Sequence, residues 1–149
     1  EGKPLTITNP EMTRFMMTLD DAVELVLYAF ENGKPGDLFV QKAPAATIGT
    51  LAEAVCKHKG VELKTQIIGT RHGEKKAETL VTKEEMLRAE DMGNYFRIKM
   101  DDRDLNYEKY FEKGIRNIED IVEYTSDNTQ RLDVDGVVNL LIKMGEIEG

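Results

Sequence analysis

Short apolar blocks separated by turn residues run through the first hundred positions, and their spacing predicts an α/β fold. Lys3-Pro4 leads into Leu5-Thr6-Ile7-Thr8, a short strand ended by the turn pair Asn9-Pro10. Residues 12–18 (MTRFMMT) form a second extended run whose only charge is Arg14. An arginine there is either an edge residue reaching solvent or a buried group with an anionic partner. Asp20-Asp21 open a helix over Ala22 to about Glu31, with Thr18 or Asp20 as its cap. Its apolar positions 22, 23, 25, 26, 27, 29 and 30 exceed one stripe, which predicts burial on more than one side.

Asn32-Gly33-Lys34-Pro35-Gly36 stops that helix, Leu38-Phe39-Val40 reads as a strand, and Lys42 to Ala46, with Pro44, reads as a loop. Thr47 caps a helix with apolar residues at Ile48, Leu51, Ala52, Val55 and Cys56; His58 falls near its exposed last turn and Gly60 ends it. Leu63 to Ile68 is a strand. After Thr79-Leu80-Val81, Thr82 and Glu85 form a capping box for a helix through about Glu90, and Tyr95–Met100 alternates as a strand. From Asp101 the pattern becomes polar, with Tyr107, Tyr110 and Phe111 in a short aromatic turn or helix. Residues 124–131 show no apolar periodicity, and Val134–Met144 closes as an amphipathic helix.

The organising stretch is Gly69-Thr70-Arg71-His72-Gly73-Glu74-Lys75-Lys76, which follows Gln66-Ile67-Ile68. It sets three fixed cations, one imidazole and one carboxylate in a chain of net charge −8. A compact cationic loop in an acidic chain suits a local anion, whereas overall acidity argues against general nucleic-acid binding. Arg71 offers a planar fork to a phosphate, and Gly69 and Gly73 let the backbone bend toward the same ligand. A plain solvated loop is the alternative. Arg14 and Arg71 together make the best case for one phosphorylated ligand, and Glu74 suits sugar hydroxyls.

The remaining composition narrows the classes. The 149 residues, 40% hydrophobic and 32% charged, suit a globular protein. No apolar run approaches a membrane span, and the lone Cys56, on an apolar helix face, fits a core residue in a cytoplasmic protein. The two histidines have no zinc-like partners, so no metal site is expected, and no Ser/His/Asp order stands out, so no catalytic residue is assigned. The chain starts at Glu1 and carries no G-x-G-x-x-G fingerprint, from which a piece of a longer protein is expected.

Three long strings carry a resemblance. They are residues 2–23, with Gly2-Lys3-Pro4-Leu5-Thr6-Ile7-Thr8 and Asn9-Pro10-x-Met12-Thr13-Arg14-Phe15-Met16-Met17; residues 36–47; and Ile68 to Lys75. They resemble the carboxyl half of extended short-chain dehydrogenase/reductases, and within them the UDP-N-acetylglucosamine 4,6-dehydratases of bacterial capsule and O-antigen synthesis. Arg103-Asp104-Leu105-Asn106-Tyr107 and Tyr124-Thr125-Ser126-x-Asn128-Thr129-x-Arg131-Leu132-Asp133-Val134 are similar to the subgroup that also epimerises C5.

The resemblance implies a substrate-binding half. Arg14 and Arg71 would grip the UDP diphosphate and Glu74 would contact the ribose, with Thr13 and His72 beside them. NADP and the catalytic groups would belong to an amino-terminal Rossmann half, and the whole enzyme would be an oligomer. Residues 1–100 would form the UDP-sugar-binding subdomain with peripheral elements of the Rossmann unit. Residues 101–149 would be an extension packing on the body or on a neighbouring subunit. Lys76-Ala77 departs from the Leu-Tyr usual there in the family. A free-standing nucleotide-sugar-binding or oligomerisation domain without activity is the competing expectation.

Overall fold

The computed structural model describes residues 3–100 and 121–145, which fall into two compact units. The expectations for Tyr107, Tyr110, Phe111 and the 103–107 string lie outside the described residues.

The first unit comprises the described parts of residues 1–22, 43–78 and 125–149. Strand β1 (Leu5–Ile7) pairs in parallel with β5 (Thr65–Ile67), and Ile7 stands opposite Ile67. Strand β2 (Thr13–Phe15) is antiparallel to β4 (Ala45–Thr47), with Arg14 opposite Ala46. The loop expected over Lys42 to Ala46 thus ends in a strand. Two alanines after a proline carry no strand signal of their own; the pairing with β2, and a parallel bridge from Ala45 to Arg131, make the strand.

Helix α2 (Ile48–Lys59) starts where the local chemistry says it should. The Thr47 hydroxyl accepts the Thr50 amide, and Gly60 closes the end at φ +64° while its N–H meets the carbonyls of Cys56 and Lys57. Helix α4 (Val134–Lys143) is capped by Asp133, whose carboxylate accepts the Gly136 amide (2.8 Å). The two helices enclose the core of this unit: Ala46, Ala54 and Val137 are fully buried, with Met16, Leu51, Leu132, Val138 and Leu141 packed around them. The small side chain of Ala54 on α2 lets that helix pack closely at the centre, beside Ala46 of β4. Cys56 is buried, as its place on the apolar face predicts, and His58 is half-buried rather than exposed. Lys57 pairs with Asp135 (2.6 Å), and that bond holds the ammonium above its usual range.

Helix α1 (Leu19–Asn32) begins at Thr18. The Thr18 hydroxyl accepts the Asp21 amide (3.0 Å), and the Asp21 carboxylate accepts the Thr18 amide (2.9 Å). That reciprocal pair, with Lys143 at 3.6 Å, keeps the Asp21 carboxyl below its ordinary value. None of the α1 residues is buried, and Leu19, Val23, Val26, Leu27 and Phe30 are exposed. The two-sided burial expected from its composition is therefore not met: those five residues recur at helical spacing and form one uncovered stripe.

The second unit comprises the described parts of residues 23–42 and 79–124. Strand β3 (Leu38–Gln41) pairs antiparallel with β8 (Tyr95–Ile98), which pairs antiparallel with β7 (Ala89–Asp91). Strand β6 (Thr79–Val81) pairs with β9 (Tyr124–Thr125). The capping box at Thr82 and Glu85 is present, but helix α3 (Lys83–Met86) lasts one turn. The expected continuation to Glu90 fails because β8 recruits Ala89–Asp91 through a tight turn at Gly93 (φ +83°). Pairing overrides local propensity there. Arg97 reaches Asp37 (2.8 Å) and Glu90 (3.6 Å), Lys42 lies over the Phe96 ring, and Tyr28 stacks on Tyr95.

Candidate functional site

All the residues singled out for an anion lie in the first unit, around the loop after β5. The β1–β5 ladder runs to the mouth of that loop, where the Ile68 amide donates to the Ile7 carbonyl (2.8 Å). Gly69 and Gly73 both sit at φ +81°, and a Cβ at either would meet nothing within 4 Å. Backbone conformation, not space, asks for glycine at these positions. The turn Arg71–Glu74 is closed twice. The Glu74 amide donates to the Arg71 carbonyl (3.1 Å), and the Arg71 amide donates to Glu74 Oε2 (3.1 Å). Arg71, His72, Lys75 and Lys76 are exposed. Among the described residues no carboxylate lies within ion-pair distance of the guanidinium of Arg71, an exposed residue.

Arg14 behaves differently. Of the two readings left open for it, the structure shows the half-buried arginine with anionic partners. Its Nη1 donates to the Thr13 carbonyl (2.7 Å) and its Nη2 to the Lys75 carbonyl (3.1 Å). Glu74 Oε1 lies 4.0 Å from Nη2 and Glu78 Oε1 3.7 Å from Nε. The side chain is a brace across the downstream limb of the cationic loop. Glu74 completes the brace, since its Oε1 also accepts the Thr8 hydroxyl (3.1 Å) at the end of β1.

Thr13 is 2% exposed. Its hydroxyl lies 2.7 Å from Ser126 Oγ and donates to Asp127 Oδ1 (2.8 Å). Ser126, fully buried, accepts the Glu78 amide (2.9 Å), and the Ser126 amide donates to the Glu78 carbonyl (2.8 Å). The Thr13 amide donates to the Lys76 carbonyl (2.9 Å). Three segments far apart in sequence thus meet at one buried polar knot.

The structure therefore gathers Arg14, Arg71 and Glu74 around one loop, joined through the Glu74 carboxylate. It puts Thr13 inside the protein and His72 on the exposed turn. Sequence reasoning missed Ser126, Thr8 and Glu78 as partners of the loop. The signal for Ser126 was the run Thr125-Ser126-Asp127-Asn128, polar turn chemistry within a stretch with no apolar period; Thr8 and Glu78 carried none. Among the described residues no group of three or more His, Cys, Asp or Glu could hold a metal ion, and no helix is long and apolar enough to cross a membrane.

The loop after β5 is thus braced and bent at two glycines, carries an exposed arginine, and sits on a mixed α/β body. The chain belongs to the polysaccharide biosynthesis protein family, whose model matches residues 1–100; a second model, the polysaccharide biosynthesis protein C-terminal family, matches residues 101–148. Relatives named UDP-glucose 4-epimerase are 53% identical in Rickettsia canadensis and 54% identical in Rickettsia bellii, over 99% of this chain. The chain spans 43% of the length of those relatives. The solved structure of Pen from Bacillus thuringiensis superposes with a TM-score of 0.75 at 29% identity, over 97% of this chain and 42% of that one. The mixed α/β architecture is consistent with the carboxyl-terminal part of an extended short-chain dehydrogenase/reductase.

Proposed function

We propose that this chain is the UDP-sugar-holding part of a nucleotide-sugar enzyme of polysaccharide synthesis, and of a UDP-N-acetylglucosamine 4,6-dehydratase that also epimerises C5. The observation that carries the reading is the exposed Arg71 guanidinium on a loop whose shape is fixed by Arg14 and Glu74. A fork with no carboxylate partner among the described residues gains most from a diphosphate, about 1.5–3 kcal/mol as charged hydrogen bonds. Arg14 adds positive charge from its braced position and reaches a phosphate oxygen only by exchanging carbonyl partners. Glu74 offers the ribose what its lone pairs have left over from Thr8 and Arg71. His72 lies on the same turn, within reach of a bound nucleotide, and Thr13 supports the loop from inside.

The chemistry would be done elsewhere. A dinucleotide needs a glycine-rich approach to its phosphates, and this chain has no G-x-G-x-x-G. At the start of α2, Gly49 is packed where a Cβ would sit 3.2 Å from Pro10, and α1 opens on two aspartates. These residues do not fit NADP, and no step is assigned through it. The uncovered α1 stripe supports a further half packing on this one. What this chain supplies is binding energy remote from the reacting carbons, which holds the hexose through several steps. A 4-epimerase acting on UDP-glucose is the second reading, favoured by the names of the relatives. Both need the same grip on UDP. The two separate on the intact enzyme by product mass and chromatography: UDP-N-acetylglucosamine losing one water supports the dehydratase, and a product of unchanged mass that separates from its substrate on chromatography supports the epimerase. No turnover of either sugar nucleotide would overturn both.

A further inference from the structure

We infer that Ser126 is a positioning residue for the anion-holding loop, so that the segment after residue 120 sets how well the loop binds its nucleotide. The inference rests on the reading of that loop as a UDP site. Ser126 never approaches the exposed cations. It acts on Glu78, the residue where the downstream limb of the loop is tied down, through two hydrogen bonds: Glu78 N–H to Ser126 Oγ (2.9 Å) and Ser126 N–H to the Glu78 carbonyl (2.8 Å). The same hydroxyl meets Thr13, at 2.7 Å from its Oγ1 and 3.2 Å from its carbonyl oxygen. Thr13 in turn holds Lys76 through the main chain, and its neighbour Arg14 holds Lys75.

The proton count favours one arrangement. Thr13 has one hydroxyl proton, which goes to Asp127; its oxygen then accepts from Ser126, whose own oxygen accepts from Glu78. Every donor in the knot is used once. Removing the Ser126 hydroxyl leaves the half-buried Glu78 amide and the buried Thr13 oxygen without that partner, and the limb carrying Lys75 and Lys76 loses one of its ties while the main-chain bonds of Ser126 to Glu78 and of Thr13 to Lys76 remain. A site displaced by an ångström loses much of its grip. The upstream limb keeps its β1–β5 anchor, so the loosening falls on the downstream side of Arg71.

The test is a double-mutant cycle on the intact protein, with UDP as the probe and calorimetry as the readout. Ser126→Ala is expected to weaken UDP binding roughly 5–30-fold. In an Arg71→Ala background the same change should have little further effect, because a positioning residue works through the group it positions. Full additivity of the two changes, or unchanged affinity in Ser126→Ala, overturns the inference and leaves the UDP site standing. If the unmodified protein takes no UDP at all, the reading of the loop falls and this inference with it. Amide exchange gives a second readout: Ser126→Ala should speed exchange at Glu78 while α2 stays protected, and equal protection at Glu78 in both proteins counts against the anchor.

Discussion

Replacing Thr13 by valine separates its two possible roles. The substitution keeps the shape of a residue that is 2% exposed and removes one hydroxyl. That hydroxyl donates to Asp127 (2.8 Å) and stands 2.7 Å from Ser126 Oγ. Water can replace it at the exposed Asp127 carboxylate but not at the fully buried Ser126, which falls back on the Thr13 carbonyl at 3.2 Å. Exchanging a partner at 2.7 Å for one at 3.2 Å costs about one net hydrogen bond, about 1 kcal/mol. For a chain of this length that lowers Tm by roughly 2–4 °C. Urea unfolding followed by circular dichroism measures the loss directly. Thr13→Ser, which keeps the hydroxyl and drops a methyl, should cost less. A Thr13→Val protein within about 0.5 kcal/mol of the original, with UDP affinity lost instead, would refute the structural account and return Thr13 to the ligand.

Two charge pairs give opposite pH signatures. Asp21 has its pKa held below the ordinary 3.8 by the Thr18 amide and hydroxyl and by Lys143. Its contribution is full above that value and disappears as pH falls through the lower folded value, so Asp21→Asn should cost stability at neutral pH and nothing in strong acid. Lys57 is raised above 10.5, chiefly by its hydrogen bond to Asp135, so its contribution is present below 10.5 and lost as pH climbs through the raised value. Lys57→Met should therefore flatten the alkaline limb of a melting-temperature profile and leave the acid limb unchanged. Gly73→Ala should cost about 1–2 kcal/mol for its φ of +81° alone, and Gly73→Asn less; equal losses in urea melts would point to a steric cause instead.

What could be read from the residues was what is local. The cap at Thr47, the box at Thr82 and Glu85 and the stop at Gly60 are made within four residues, and each is present. Strands β4 and β7 were hidden because their partners, β2 and β8, supply the evidence for them. The site divides the same way. A cationic, glycine-bent loop is visible in residues 69–76, but the role of each side chain depends on contacts made across the sequence. Thr13 meets Ser126 at a separation of 113 positions and Glu74 meets Thr8 at 66. Arg14 could not be assigned from an extended run in which it is the only charge, since its fate was decided by the carbonyls of Lys75 and Lys76. Helix α1 shows the converse: its apolar surplus was plain, and no described residue buries it.

The central claim is that the loop after β5 holds a nucleotide diphosphate through Arg71. Calorimetric titration of the intact protein with UDP, repeated on Arg71→Ala, tests it most directly. Arg71 is exposed and its side chain braces none of the described residues, so the variant should unfold like the original protein while its UDP affinity falls roughly 10–150-fold, the equivalent of about 1.5–3 kcal/mol. UDP heats that are absent from the original protein, or identical in the two proteins, would contradict the account.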